Sequence, residues 1–110
     1  MIKIATSAAA SALLRGIFAR AAVPKNRILL TEVRSIDWQS LTFIGERHEI
    51  ELRIPGPGSN AIAERMCAGL SDAEFDVPRH TVADIAVRER RPCPSDGSTL
   101  LTIEALTIEE

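Results

Sequence analysis

The chain has 110 residues and a formal net charge of −2, with 45% apolar and 25% charged residues. This composition predicts one folded domain over residues 1–110 and argues against a multidomain enzyme, a disordered chain or a bundle of membrane-spanning helices. Aromatic residues make up only 4% and tyrosine is absent, which argues against base-stacking surfaces, aromatic cages and tyrosine acid–base chemistry.

The charges are unevenly distributed. Residues 1–31 contain five basic residues and no acid, whereas the sequence from Glu32 onward contains 15 acids and eight bases. This split is typical either of a basic arm for an anionic partner or of a basic segment that docks on its own acidic body.

The first 22 residues have two interpretations. They are acid-free and rich in alanine and serine, so they resemble a targeting segment, and a mitochondrial presequence fits better than a secretory signal. The alternative, which we prefer for a cytoplasmic bacterial protein, is a basic amphipathic helix that opens the fold. Apolar residues from Leu13 to Ala21 form one helical stripe, Thr6 or Ser7 can cap the start, and Pro24 follows the end.

Residues 27–110 are predicted to form a β-β-α-β-β body. Residues 28–38 and 41–54 are the first two strands, and the second alternates clearly at Ile50, Leu52 and Ile54. The apolar parity changes within 41–54, which predicts a bulge or turn at Gly45. The turn between the strands is placed either at 37–40 or near Gly45.

The Pro-Gly-Pro-Gly sequence at 55–58 ends the second strand. A helix is predicted over 60–70, with Ser59 or Asn60 as its cap, followed by a short helical turn that a capping box at 71–74 begins. Strands at 80–89 and 99–108 complete the chain. Because residues 90–98 contain two prolines and a Ser-Asp-Gly turn signal, they are predicted to form a long hairpin loop.

The order of elements is α-β-β-α-β-β, and it contains a half-repeat. Residues 23–34 align without gaps on residues 77–88, with four identities. We therefore predict an α+β two-layer sandwich, in which a four-stranded antiparallel sheet carries two helices on one face. The other face and the exposed edges are suited to a second copy of the chain, which predicts a homodimer.

His48, His80 and Asp84 are the weak candidates for a catalytic or small-molecule site. His80 and Asp84 alternate onto the same strand face, but four residues of strand span about 13 Å, so a dyad would need a cross-strand partner such as Glu104. The sequence contains no hydrolase or metalloprotease signature. Whether the protein is an enzyme, and which ligand it would take, are left open.

An anion could be held at the start of the second helix. Gly56, Gly58, Ser59 and Asn60 lead into free backbone N–H groups, and Arg88 and Arg90 supply positive charge. The segment lacks the Gly-Lys-Ser ending of a nucleotide-binding loop. A capped strand-to-helix turn explains the same residues.

Other ligand classes are not expected. His48, Cys67, His80 and Cys93 have no metal-ligand spacing, so we predict no metal and no cofactor. The acidic body opposes nucleic acid binding, and no apolar window is long enough to cross a membrane. The interpretation that the sequence favours is a non-catalytic, self-associating protein; a small-molecule or anion-binding protein is the alternative.

Overall fold

The computed structural model describes residues 6–110, and it confirms the predicted fold class. A four-stranded antiparallel sheet carries two helices in the order α-β-β-α-β-β. The elements are α1 Ala8–Ala21, β1 Leu29–Gln39, β2 Ile44–Ile54, α2 Ser59–Cys67, β3 His80–Cys93 and β4 Ser98–Glu109, with short 3₁₀ turns at Lys25–Arg27 and Leu70–Asp72.

Helix α1 forms as its apolar stripe predicts. The Ser7 hydroxyl accepts a hydrogen bond from the Ala10 amide at 3.1 Å, which caps the first turn. Leu13, Ile17 and Ala21 are fully buried. The helix ends at Ala21, and the following residue, Ala22, adopts a left-handed backbone with φ 56°.

The C-terminal ends of the two helices are capped by each other's arginines. The Arg65 Nε donates to the Ala21 carbonyl at 2.9 Å, and the Arg20 guanidinium donates to the Met66 and Ala68 carbonyls. A cation at a helix C-terminus satisfies unpaired carbonyls and suits the helix dipole. Arg20, one of the basic residues of the acid-free segment, is thus used to join α1 to α2.

Strands β1 and β2 form a hairpin whose turn is Ser40–Phe43. The Ser40 amide donates to the Phe43 carbonyl at 2.9 Å, and the Ser40 hydroxyl accepts from the Phe43 amide at 3.0 Å. The prediction of a bulge or turn at Gly45 is wrong, because Gly45 pairs in regular register with Trp38. The parity changes because Leu41 and Phe43 belong to the turn.

The start of α2 also differs from the prediction. The residue in the cap position is Gly58, with φ 83°, and no side chain caps the helix. The Ser59 hydroxyl instead donates to the Gly97 carbonyl at 2.6 Å. After Cys67 the predicted short helical turn is present as the 3₁₀ turn at Leu70–Asp72, but it begins after Gly69 and no side chain caps it, so the capping box at 71–74 does not form its start.

The β3–β4 hairpin has longer strands and a shorter turn than predicted. β3 continues to Cys93, with Pro92 paired with Thr99, and the turn comprises only residues 94–97. Asp96 organises this turn by accepting hydrogen bonds from the Ser98 amide at 2.9 Å and hydroxyl at 2.6 Å, which lower the pKa of its carboxyl. Proline is tolerated because β3 is an edge strand.

The strand order is β1-β2-β4-β3. The sheet is therefore symmetric in topology, because exchanging β1–β2 with β3–β4 gives the same order from the opposite edge. Val33 pairs with Ile50, Ile50 with Ile103, and Ile103 with Val87, so equivalent residues of the half-repeat flank the central pair. The inner face of the sheet packs on both helices. Its core consists of apolar side chains from every layer, among them Leu13, Ile17, Ile50, Leu52, Ile62, Met66, Leu101 and Ile103.

The outer face of the sheet carries no element of residues 6–110 and is crossed by ion pairs. Arg34 binds Glu49 at 2.8 Å, and Glu104 binds Arg47 at 2.7 Å and Arg88 at 3.4 Å. The hydrogen bond that Arg88 donates to the Glu104 carboxylate has the largest effect in lowering the pKa of Glu104, and the hydrogen bond from Arg47 has a smaller effect in the same direction. Within residues 6–110 no helix is long and apolar enough to cross a membrane.

Candidate interaction surface

His48 is the one buried histidine of residues 6–110, and its two ring nitrogens are both engaged. Nδ1 lies 2.8 Å from the Ser35 hydroxyl, and Nε2 lies 2.9 Å from the Thr107 hydroxyl. The Thr107 hydroxyl also lies 3.5 Å from the Glu46 carbonyl. His48 therefore bridges β1, β2 and β4, with both of its ring nitrogens engaged within the protein.

The stability of the fold should decrease below about pH 6.5 because of His48. Burial lowers the pKa of His48 from 6.5, the Glu46 charge opposes this, and His80 adds to it. The unfolded chain therefore binds a proton at His48 more tightly than the folded protein does, so the free energy of unfolding falls as the pH falls. We expect His48→Gln, which does not titrate, to flatten this dependence in urea unfolding between pH 7.5 and 5.5. An equal pH dependence in wild type and variant would contradict the assignment.

The structure separates the other two candidates, His80 and Asp84, from each other. His80 pairs with Glu109, and its Nδ1 lies 2.9 Å from the Pro78 carbonyl. A register shift between Val82 and Asp84 moves Asp84 to the outer face, opposite Leu106. The expectation that His80 and Asp84 share a face is therefore wrong. A cavity of about 370 Å³ beside His80 is lined by neither His48 nor Asp84.

The residues predicted for an anion are largely engaged within the protein. Arg90 binds Glu64 at 2.8 Å and the Asn60 side-chain oxygen at 2.7 Å, and Arg88 is held by Glu104. Gly56 approaches the other hairpin so closely that a Cβ there would lie 2.9 Å from the Gly97 carbonyl carbon. These contacts give each residue a structural role, while anion binding stays a prediction.

The described residues include possible metal ligands and two cysteine thiols. Within residues 6–110 no group of three or more histidine, cysteine or acidic side chains is arranged to hold a metal ion. Cys67 and Cys93 are free thiols. Burial raises the pKa of the Cys67 thiol, with smaller effects of nearby charges, so it is held in the less reactive protonated form.

The feature that stands out is an exposed apolar surface on the first hairpin. Within residues 6–110, the exposed large apolar side chains all belong to β1, to its turn or to the first residue of β2: Leu29, Ile36, Leu41, Phe43 and Ile44. Leu41 is fully exposed and Phe43 is 52% exposed. We call residues 40–44 the hairpin tip. Three of the five, Leu41, Phe43 and Ile44, lie together in this tip, and adjacent exposed apolar residues are typical of an interaction site.

The β1 edge is also the sheet edge better suited to pairing. β3 has two register shifts and contains Pro92, features that hinder strand addition. β1 has one register shift, between Leu30 and Glu32, where the Thr31 hydroxyl donates to the Glu51 carbonyl. From Glu32 to Gln39 it is regular and free of proline, so its outer backbone groups can receive another strand.

Comparison with known proteins adds little to this surface. No family model and no curated protein matches the chain. One similar solved chain comes from the "Virion of native gene transfer agent (GTA) particle", with 17% identity and a TM-score of 0.49, covering 90% of this chain and 86% of that chain. Such a distant similarity transfers no function. The fold and surface define a small two-layer α+β protein whose first hairpin has an exposed apolar tip.

Proposed function

We propose that this protein acts without catalysis, by associating with a second copy of itself. The observation that carries the proposal is the exposed apolar hairpin tip beside the regular edge of β1. Burying such side chains is favourable by about 25 cal/mol per Å² of apolar surface. A standard interface hides about 800 Å² per partner, so the tip must be joined in the interface by the β1 edge and its neighbouring side chains.

Other features are consistent with this proposal. α1 contributes Leu13 and Ile17 to the core shared with the sheet. This supports a single domain that includes α1 rather than a β-β-α-β-β body preceded by a cleavable targeting segment. The free thiols of Cys67 and Cys93 suit a reducing, cytoplasmic location.

The proposal predicts a concentration-dependent dimer, which sedimentation velocity can detect against the monomer mass of 12.0 kDa. Replacing the apolar side chains of the tip, in the variant Leu41→Ser/Phe43→Ser/Ile44→Thr, should raise the dimer dissociation constant about 30-fold or more, because a few large apolar side chains that become buried carry most interface energy. Leu100→Ser is the matched control, since Leu100 is half-buried on β4, two strands from the β1 edge. A protein that stays monomeric at all concentrations would refute the proposal, as would a tip variant that dimerises as well as wild type.

A further inference from the structure

We infer that the dimer is interlocked: the hairpin tip of each copy inserts into a groove beside helix α1 of the other, while the two β1 edges pair antiparallel. This rests on the proposed self-association and names its contacts. Three features of the described residues support it: an apolar groove, its distance from the tip along β1, and complementary charges at the two places.

The groove, which we call the α1 groove, has a volume of about 270 Å³. It is lined by Arg15, Phe18, Ala19, Val23 and Lys25. Phe18 and Val23 are partly buried apolar residues that pack at the margin of the core, and the two basic residues form its rim. Apolar walls with a charged rim are suited to an apolar segment that carries acids.

The groove faces outward on the β1 side of the molecule. Arg20 binds carbonyls of α2, so it marks the side of α1 that faces α2. Phe18 precedes Arg20 by two residues, which is about 200° around a helix of 3.6 residues per turn. Phe18 therefore lies on the side away from α2, and the chain continues from Val23 and Lys25 directly into β1.

Val23 and Lys25 of the groove precede the start of β1, whereas the tip follows its end. β1 has 11 residues, which at about 3.3 Å per residue span roughly 36 Å, so the tip lies far from the end of β1 that follows these two residues of its own chain. Antiparallel pairing of two β1 edges brings each tip to the start of the other β1. With the two-fold axis near Ser35, Leu41 of one copy lies alongside Leu29 of the other, and both side chains are exposed in the single chain.

The two surfaces face the same way in this arrangement. Antiparallel strands of one sheet related by a two-fold axis perpendicular to it place the helices of both copies on the same face. Ile44 and Glu46 have the same strand parity as His48 and Ile50, which point to the helix face. They are therefore on the face that carries the partner's α1 groove.

The charges at the two places are complementary and uncompensated. Asp37 lies directly opposite Glu46 near the hairpin end, and like charges at this spacing repel. Among residues 6–110 neither acid forms an ion pair, and neither do Arg15 and Lys25. Docking the tip in the groove brings the acidic end of the hairpin towards the basic residues of the groove, and this longer-range attraction favours the geometry over other pairings.

Disulfide trapping between two differently labelled chains tests the inference. In the Cys67→Ala/Cys93→Ser background, one chain carries Thr42→Cys in the tip and the other Ala19→Cys in the groove; both positions are exposed. Mixed at a concentration where sedimentation shows dimers and oxidised with copper phenanthroline, they should form a 42–19 disulfide, identified by mass spectrometry. Ser95→Cys, in the β3–β4 turn, replaces Thr42→Cys as the control and should give at least tenfold less product.

The outcomes separate the two proposals. Dimers that sediment normally but give no more 42–19 than 95–19 product would overturn the interlocked arrangement and leave self-association intact. A monomer at every concentration would overturn both. As a second readout, Lys25→Glu, which reverses one charge at the groove, should weaken dimerisation about threefold to fivefold, in line with the small energies of exposed charge pairs. Unchanged dimerisation of Lys25→Glu would contradict the proposed docking.

Discussion

Leu13→Ala should lower the free energy of unfolding by about 2–5 kcal/mol, the usual cost of removing a fully buried leucine. Leu13 has no exposed surface and lies in the middle of the α1 stripe that packs on the sheet. The loss combines the transfer free energy of the missing methyl and methylene groups with the cavity they leave. Urea unfolding followed by circular dichroism at pH 7.5 measures the change.

Leu14→Ala is the matched control for this effect. It makes the same chemical change on the next residue of the same helix, but Leu14 is only partly buried, so we expect less than about half the loss. Equal losses at both positions would show that α1 does not pack as described.

Removal of residues 1–22 should be more damaging still and should leave a chain without cooperative unfolding, whereas a stable truncated body would favour the targeting interpretation of this segment.

The sheet and helices could be predicted because burial on one face imposes its own period on the sequence. Ile50, Leu52 and Ile54 alternate with charged residues, and all three are buried on the helix face. The helical stripe from Leu13 to Ala21 was equally direct. These patterns are set by local backbone geometry together with a single apolar layer, so they can be recognised without knowing the tertiary structure.

The details that sequence analysis missed depend on tertiary position. Pro92 is compatible with a strand only because β3 lies at the edge of the sheet, and edge position cannot be inferred from neighbouring residues. The register shift before Asp84 has no sequence mark among residues that alternate smoothly, and it separates Asp84 from His80. Ser59 is turned from the expected cap to the Gly97 carbonyl by contact with a distant hairpin.

The sequence contains a sign of the candidate surface, the change in apolar parity at Leu41 and Phe43, but this change also fits a bulge or turn at Gly45. Leu41 and Phe43 break the parity of the second strand, and the sequence alone predicts a bulge or turn at Gly45 from this break. Two large apolar residues in a turn that lacks a core to cover them also indicate a surface made for contact. Their exposure becomes evident only when the turn is placed at Ser40–Phe43.

Gly45→Ala should destabilise the protein by about 3 kcal/mol or more, at or above the upper end of the usual cost of overpacking. Gly45 lies at the start of β2, where a Cβ atom would be 3.0 Å from the Thr107 carbonyl carbon and closer still to its oxygen. Because both atoms belong to the backbone of β4, the strands must separate. That movement would also displace Thr107 from His48, and it would tilt the hairpin tip that we propose as the contact.

Gly58→Ala is the control for Gly45→Ala because it makes the same substitution in open space. A Cβ at Gly58 has no atom within 4 Å, and its cost is the left-handed backbone with φ 83°, about 1–2 kcal/mol. Thermal and urea unfolding of both variants should therefore rank Gly45→Ala as the more destabilising. Sedimentation at concentrations where Gly45→Ala remains folded should show weaker dimerisation than for Gly58→Ala, since only Gly45 supports the tip. Equal stability and equal dimerisation of the two variants would mean that the close approach of β2 to β4 does not position this hairpin.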